Sequence, residues 1–217
     1  KAPMKNHPAF LHRTTQIFWA DSPEGPFLPF ESKLPHTPMG QMCLDGTLWV
    51  ENGTPYMIYC HEWVEMMDGT MELVELKPDL SGTVGQPIRL FCASAAEWST
   101  GSLREDGTRT YVTDGCFLYR TQTGKLLMIW SSFKNGEYAI GIAESMTGKV
   151  FGPWKQQKEP LFDKHGGHGM IFKTFDGRLC LVLHAPNSPG GAERAHIFEI
   201  EDLGHTLKLK DIILSNP

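Results

Sequence analysis

The sequence predicts an all-β chain folded as a β-propeller of four-stranded antiparallel blades, and three observations lead there. Helical periodicity is nearly absent; short runs of Val, Ile, Leu, Phe, Tyr and Trp alternate with Gly-containing turns. A hairpin pattern occurs three times, as DGTLWVENGTPYMIYCH from Asp45, DGCFLYRTQTGKLLMIWSS from Asp114 and HGMIFKTFDGRLCLVLHA from His168. A second unit also recurs: IFWADSPEGPF from Ile17 matches IGIAESMTGKVFGPW from Ile140. A hairpin followed by a second strand pair, repeated at intervals of roughly 55 to 70 residues, is how a propeller is written in sequence. A β-sandwich would not make its modules equivalent.

The elements follow in order. Residues 15–30 read as the second half of a blade whose first half lies earlier. Each of the three modules then gives X-Gly, a β run, a polar turn closed by Gly53, Gly124 or Gly177, and a more apolar β run. LVELKPDLSGTVGQPIRLF from Leu73 supplies the second strand pair of the first module. The expectation is one propeller domain over 1–217, incomplete at its N-terminal end, with about three and a half blades present.

Composition limits the partners. The chain has 217 residues, 41% hydrophobic and 21% charged, enough for one sizeable core. The net charge of −5 and the lack of any basic run argue against nucleic acid, whose binding needs clustered Lys and Arg. No apolar stretch is long enough to span a bilayer as a helix, so no membrane partner is expected. The five cysteines (43, 60, 92, 116 and 180) are widely spaced without CxxC, which reads as buried free thiols rather than a zinc site. The compartment stays open between a reducing one and an exported, periplasmic or secreted one.

In a propeller the first strand of each blade lines the central axis, and its first residue faces the funnel at one end. The X of X-Gly is then one recurring place, holding Asp45, Asp114 and His168. Titratable groups converging from separate blades on one concavity suit an active site. The competing reading is a plain Asp-Gly turn, in which Asp accepts backbone N–H bonds.

These residues resemble glycoside hydrolase family 43, a family of five-bladed propellers, over nearly the whole chain. TQIFWADSPEGPF resembles the family's blade ending with Gly-Pro-aromatic, and LDGTLWVENGTPYMIYCHEW resembles the blade presenting the aspartate that tunes the acid. VTDGCFLYRTQTGKLLMIWSSF resembles the blade presenting the general acid, and GGHGMIFKTFDGRLCLVLHAPN the last blade, with a His near the axis. The resemblance implies an inverting hydrolase of arabinofuranosyl, xylosyl or galactosyl linkages in plant-type glycans, with an oligo- or polysaccharide as partner. It makes Asp114 the acid and Asp45 its modulator. It also implies a structural Ca2+ near the axis, which His168 helps to hold through the ion's water shell.

Two departures stand out. The family acid is a Glu, and Asp114 is a methylene shorter, a misplacement that costs rate; Glu62 in CHEW is the alternative acid. The family base is an Asp at the start of the first blade, and no counterpart occurs here. KAPM resembles the start of the second blade, so the expectation is a first blade preceding Lys1. A silent, glycan-binding propeller is the alternative function. Trp63 and His61 beside Glu62, and His184 at the strand end matching Cys60 and Ser131, are expected to bind substrate. Trp19, Trp49, Trp98, Trp130 and Phe117 are divided between sugar stacking and core packing. Trp154 reads as structural. The polar excursion 93–110 reads as a wall of the site, with Arg104 able to meet a sugar or an acidic substituent.

Overall fold

The structure, a computed structural model, describes residues 13–215, with side chains through residue 210. A short hairpin comes first, β1 (Phe18–Trp19) paired antiparallel with β2 (Leu28–Pro29). The first complete blade is β3 (Cys43–Glu51), β4 (Thr54–His61), β5 (Thr70–Leu76) and β6 (Thr83–Cys92). A one-turn helix, α1 (Trp63–Met66), joins β4 to β5. A two-stranded hairpin, β7 (Ser102–Leu103) with β8 (Arg109–Thr110), stands between blades. The second blade is β9 (Asp114–Arg120), β10 (Leu126–Lys134), β11 (Glu137–Ser145) and β12 (Trp154–Gln156). The third is β13 (Gly167–Lys173), β14 (Leu179–Ala185), β15 (Arg194–Asp202) and β16 (Leu207–Ser215). Each blade is a four-stranded antiparallel meander in chain order.

The hairpin turns form where the sequence places them. Gly53, Gly124 and Gly177 all have positive φ, near +84° to +88°, a region that suits glycine. The apolar runs alternate because blades stack on both faces. In β10, Leu126, Met128 and Trp130 pack toward the first blade, meeting Ile58, Met71 and Leu73. Leu127 and Ile129 pack toward the third, meeting Ile171, Leu181 and Leu183. A strand buried on both sides reads as continuous hydrophobicity, as LLMIW does. Each such side chain taken out of water contributes about 1.5–3 kcal/mol. Trp98 and Trp130 belong to this core, their rings 4.9 Å apart. Trp49 and Trp154 pack against it, and Phe117 packs against the second cluster. Core packing therefore accounts for these five rings, as the sequence predicts for Trp154. All five cysteines are free thiols, four of them buried.

One expectation is corrected. The innermost strands bulge at the same place in all three blades: the pairings Leu44 to Cys60, Asp114 to Ser131 and Gly167 to His184 are equivalent, and the register slips just after each. By that register Asp45 corresponds to Gly115 and His168, and all three have left-handed φ, 58°, 53° and 53°. Asp114 lies one residue earlier. The bulge absorbs one residue without any mark in the X-Gly pattern, so matching the dipeptides misaligned the second blade by one.

Candidate active site

β3, β9 and β13 neighbour one another along the axis, and β9 touches both of the others. The strands alternate direction, so the starts of β3, β9 and β13, the ends of β4 and β10, α1 and the β7–β8 hairpin all gather at one end. The bulges bring their backbones together there. The Gly115 N–H donates to Asp45 Oδ2 at 3.2 Å. A Cβ on Gly115 would stand 2.8 Å from His168 Cα, so only glycine lets the second blade close on the third. His168 Nε2 stands 3.9 Å from Asp45 Oδ1, and the His168 N–H donates to Ser131 Oγ at 2.8 Å. Asp45 and His168 thus meet across the axis, as predicted.

Three carboxyls share this end. Glu62 is 5% exposed. It is no solvated loop carboxylate: its backbone N–H is tied to the Met42 carbonyl at 2.8 Å. Burial, then the charge of Asp114, then that of Asp45, push its carboxyl up to about 7, against the pull of Arg13 and His61. Burial and the charge of Asp45 push Asp114 up to about 6, while Tyr138, His168 and Arg13 work the other way. The Tyr138 hydroxyl donates to Asp114 Oδ2 at 2.8 Å. The structure therefore brings Asp45, Glu62, Asp114 and His168 within electrostatic reach of one another.

The remaining expected residues divide. His61 is buried; its Nε2 is 2.8 Å from Glu65 Oε2 and its Nδ1 is 3.2 Å from Glu72 Oε1. Burial alone would lower its pKa, but the two carboxylates outweigh that and raise it. With both ring nitrogens engaged, His61 has none left for a sugar, and it orients the segment carrying Glu62 instead. Burial works to raise Glu72, but bonds from His61, Thr70 and Tyr59 hold it below the usual range. His184 stacks on Tyr138, centroids 5.7 Å apart at 22°, and its Nε2 meets Asn187 Oδ1 at 2.9 Å. Trp63 is half-buried under the Arg104 guanidinium, 5.0 Å above its ring.

Sequence reasoning missed Arg13 and Tyr138. Tyr138 reaches the axis from the third strand of its blade, and Arg13 precedes the first strand among the described residues, so neither lies in the repeating motif. No group of three or more His, Cys, Asp or Glu among the described residues is arranged to hold a metal, and calcium takes oxygen ligands, which an imidazole lacks.

The profile of Glycosyl hydrolases family 43 matches residues 5–202. The fold superposes on the endo-arabinase of Bacteroides thetaiotaomicron VPI-5482 with TM-score 0.80 at 46% identity, covering 87% of this chain and 66% of that one. It also superposes on a thermostable family-43 glycoside hydrolase (TM-score 0.76, 23% identity, 93% and 68% covered). A third neighbour is an endo-1,4-beta-xylanase of the same Bacteroides thetaiotaomicron strain (TM-score 0.71, 21% identity, 89% and 66% covered). The chain thus spans about two thirds of the length of these neighbours. No curated protein matches it. With the family profile matching residues 5–202 of the 217 and the fold superposing on these neighbours, the chain belongs to glycosyl hydrolases family 43.

Proposed function

We propose that the protein hydrolyses arabinofuranosyl linkages of plant-type glycans by inversion, with Glu62 as the general acid. The observation that carries the assignment is the buried Glu62 carboxyl, pushed up to about 7 beside Asp114 and Asp45. An acid must hold its proton at working pH until the leaving oxygen takes it, and a buried carboxyl facing like charges does so. Glutamate also restores the methylene that Asp114 lacks. Asp114, pinned by Tyr138, and Asp45, held on the Gly115 N–H, are then the charges that keep the acid protonated. Proton donation from Glu62 to the glycosidic oxygen coincides with attack at the anomeric carbon by a water on the opposite face. Inversion sets the water-activating base roughly 6.5–9.5 Å from the acid. In the family that base is an aspartate at the start of the first blade, for which residues 13–215 have no counterpart. The arabinose preference rests on the likeness to the endo-arabinase, at 46% identity.

The test is Glu62→Gln in the full-length protein. Release of reducing ends from linear arabinan should fall by about 100-fold or more. An aryl arabinofuranoside with a strongly acidic phenol should be cleaved nearly as well as before, because that leaving group needs no proton. Wild-type turnover of arabinan by Glu62→Gln, with loss in Asp114→Asn, would return the acid role to Asp114. Oligosaccharide binding without turnover by the wild type would leave a glycan-binding propeller instead.

A further inference from the structure

We infer that Glu65 is a positioning residue for the acid: its carboxylate closes a circuit of hydrogen bonds that fixes the Glu62 backbone. The inference rests on the reading of Glu62 as the general acid. The circuit has three links. The Glu62 N–H donates to the Met42 carbonyl at 2.8 Å, the Met42 N–H donates to Glu65 Oε2 at 2.8 Å, and the Glu65 N–H donates back to the Glu62 carbonyl at 3.0 Å. The Met66 N–H donates to that same carbonyl, also at 3.0 Å. Both backbone polar groups of Glu62 are thus engaged. One side chain, that of Glu65, ties α1 to Met42, the residue that leads into β3.

The carboxylate is itself anchored from the blade interior. Glu65 Oε2 also faces His61 Nε2 at 2.8 Å, and the opposite ring nitrogen, Nδ1, faces Glu72 Oε1 at 3.2 Å. Glu72 in turn accepts from the Tyr59 hydroxyl at 3.1 Å and the Thr70 hydroxyl at 3.0 Å. Tyr59, His61, Thr70 and Glu72 are all buried. Bonds to a carboxylate are stronger than neutral ones, and a buried network in which each member is satisfied is rigid. The chain of contacts therefore runs from the packed interior of the first blade, through His61, to the oxygen that holds Met42.

The acid needs such a frame. The Glu62 carboxyl has no hydrogen-bond partner among the described residues, so burial and the backbone are what place it. A proton donor displaced by about 1 Å can lose on the order of a hundredfold in rate. Glu65 acts through Glu62 and not on the sugar, since its Oε2 is already taken by two donors. Without that oxygen, Met42 loses its acceptor and His61 one of its two partners, and the link between Met42 and α1 that holds Glu62 is cut.

The test is Glu65→Ala in the full-length protein, on linear arabinan and on an aryl arabinofuranoside with a strongly acidic phenol. On arabinan, whose leaving oxygen needs a proton, kcat should fall by about tenfold to a hundredfold with KM little changed. Cleavage of the aryl glycoside should stay near wild type. Glu65→Gln keeps a carbonyl oxygen at the same reach to receive the Met42 N–H, and should restore most of the arabinan rate. One preparation turns over both substrates, so their ratio is independent of the fraction folded. An equal fall on both substrates, an unchanged rate on arabinan, or a loss in Glu65→Gln as selective as in Glu65→Ala would each overturn the positioning role. Glu62→Gln run alongside separates the two assignments. If it lacks the selective loss, the acid assignment itself fails; if it shows the loss and Glu65→Ala does not, only the positioning role fails.

Discussion

Tyr138 is 2% exposed, and its hydroxyl donates to Asp114. The phenol pKa is raised far above its ordinary value, first by burial and then by Asp114, so the hydroxyl keeps its proton and can only donate. Such a bond favours the charged carboxylate and opposes the burial and Asp45 charge that raise Asp114. Tyr138→Phe keeps the ring on His184 and deletes the donor. The Asp114 carboxyl should then titrate above its value of about 6, followed by carbon-13 NMR of labelled aspartate against pH. An unchanged midpoint would show that this bond does not bias Asp114. None of this is legible near Asp114 in the chain, because Tyr138 lies 24 positions away on another strand of the blade.

At the scale of elements, glycines decide how closely blades and rings approach. Gly141 on β11 pairs with Trp130, and a Cβ there would stand 2.1 Å from the Trp98 ring. Trp98 is 4% exposed inside the first core cluster and has nowhere to retreat. Gly141→Ala should therefore destabilise the protein by about 1–3 kcal/mol through overpacking. Thermal unfolding should show this as a fall of several degrees, roughly 2–4 °C per kcal/mol for a chain of this size. An unshifted midpoint would mean that the strand yields without cost. The repeats made the strands, turns and blade order readable, because hairpin turns and period-2 burial are local properties. The bulge that places Asp114 one residue before the positions of Asp45 and His168 was not, since its only signs are a register slip and a left-handed φ.

At the scale of the molecule, the acidic end of the axis ties stability to pH. Glu62 has an ordinary value of 4.5 and a folded value of about 7, so the folded state binds its proton more tightly. Between those values the unfolded chain gives up the proton while the folded one keeps it, and stability falls as pH rises. Asp114, raised from 3.8 to about 6, acts in the same direction. So does His61, whose raised value contributes stability that is present below 6.5 and is lost as pH climbs through the folded pKa. Glu72, held low, opposes them only under more acidic conditions, where its protonation removes stability. The urea midpoint should therefore decline from about pH 4.5 to about pH 7, and Glu62→Gln should flatten that decline. A midpoint that rises across this window would contradict a buried, proton-holding Glu62.

By itself the sequence determined the all-β class, the propeller grammar of repeated hairpins, the family, and the meeting of Asp45 and His168 at one end of the axis. Each follows from local patterning and from repetition, which puts equivalent residues in equivalent places. Only the tertiary structure decided that Glu62 is buried against Asp114, that His61 is locked between Glu65 and Glu72, and that Arg104 lies over Trp63. Those facts depend on which side chains from separate strands share a desolvated space. Burial and charge proximity, not residue type, set what each of them can do.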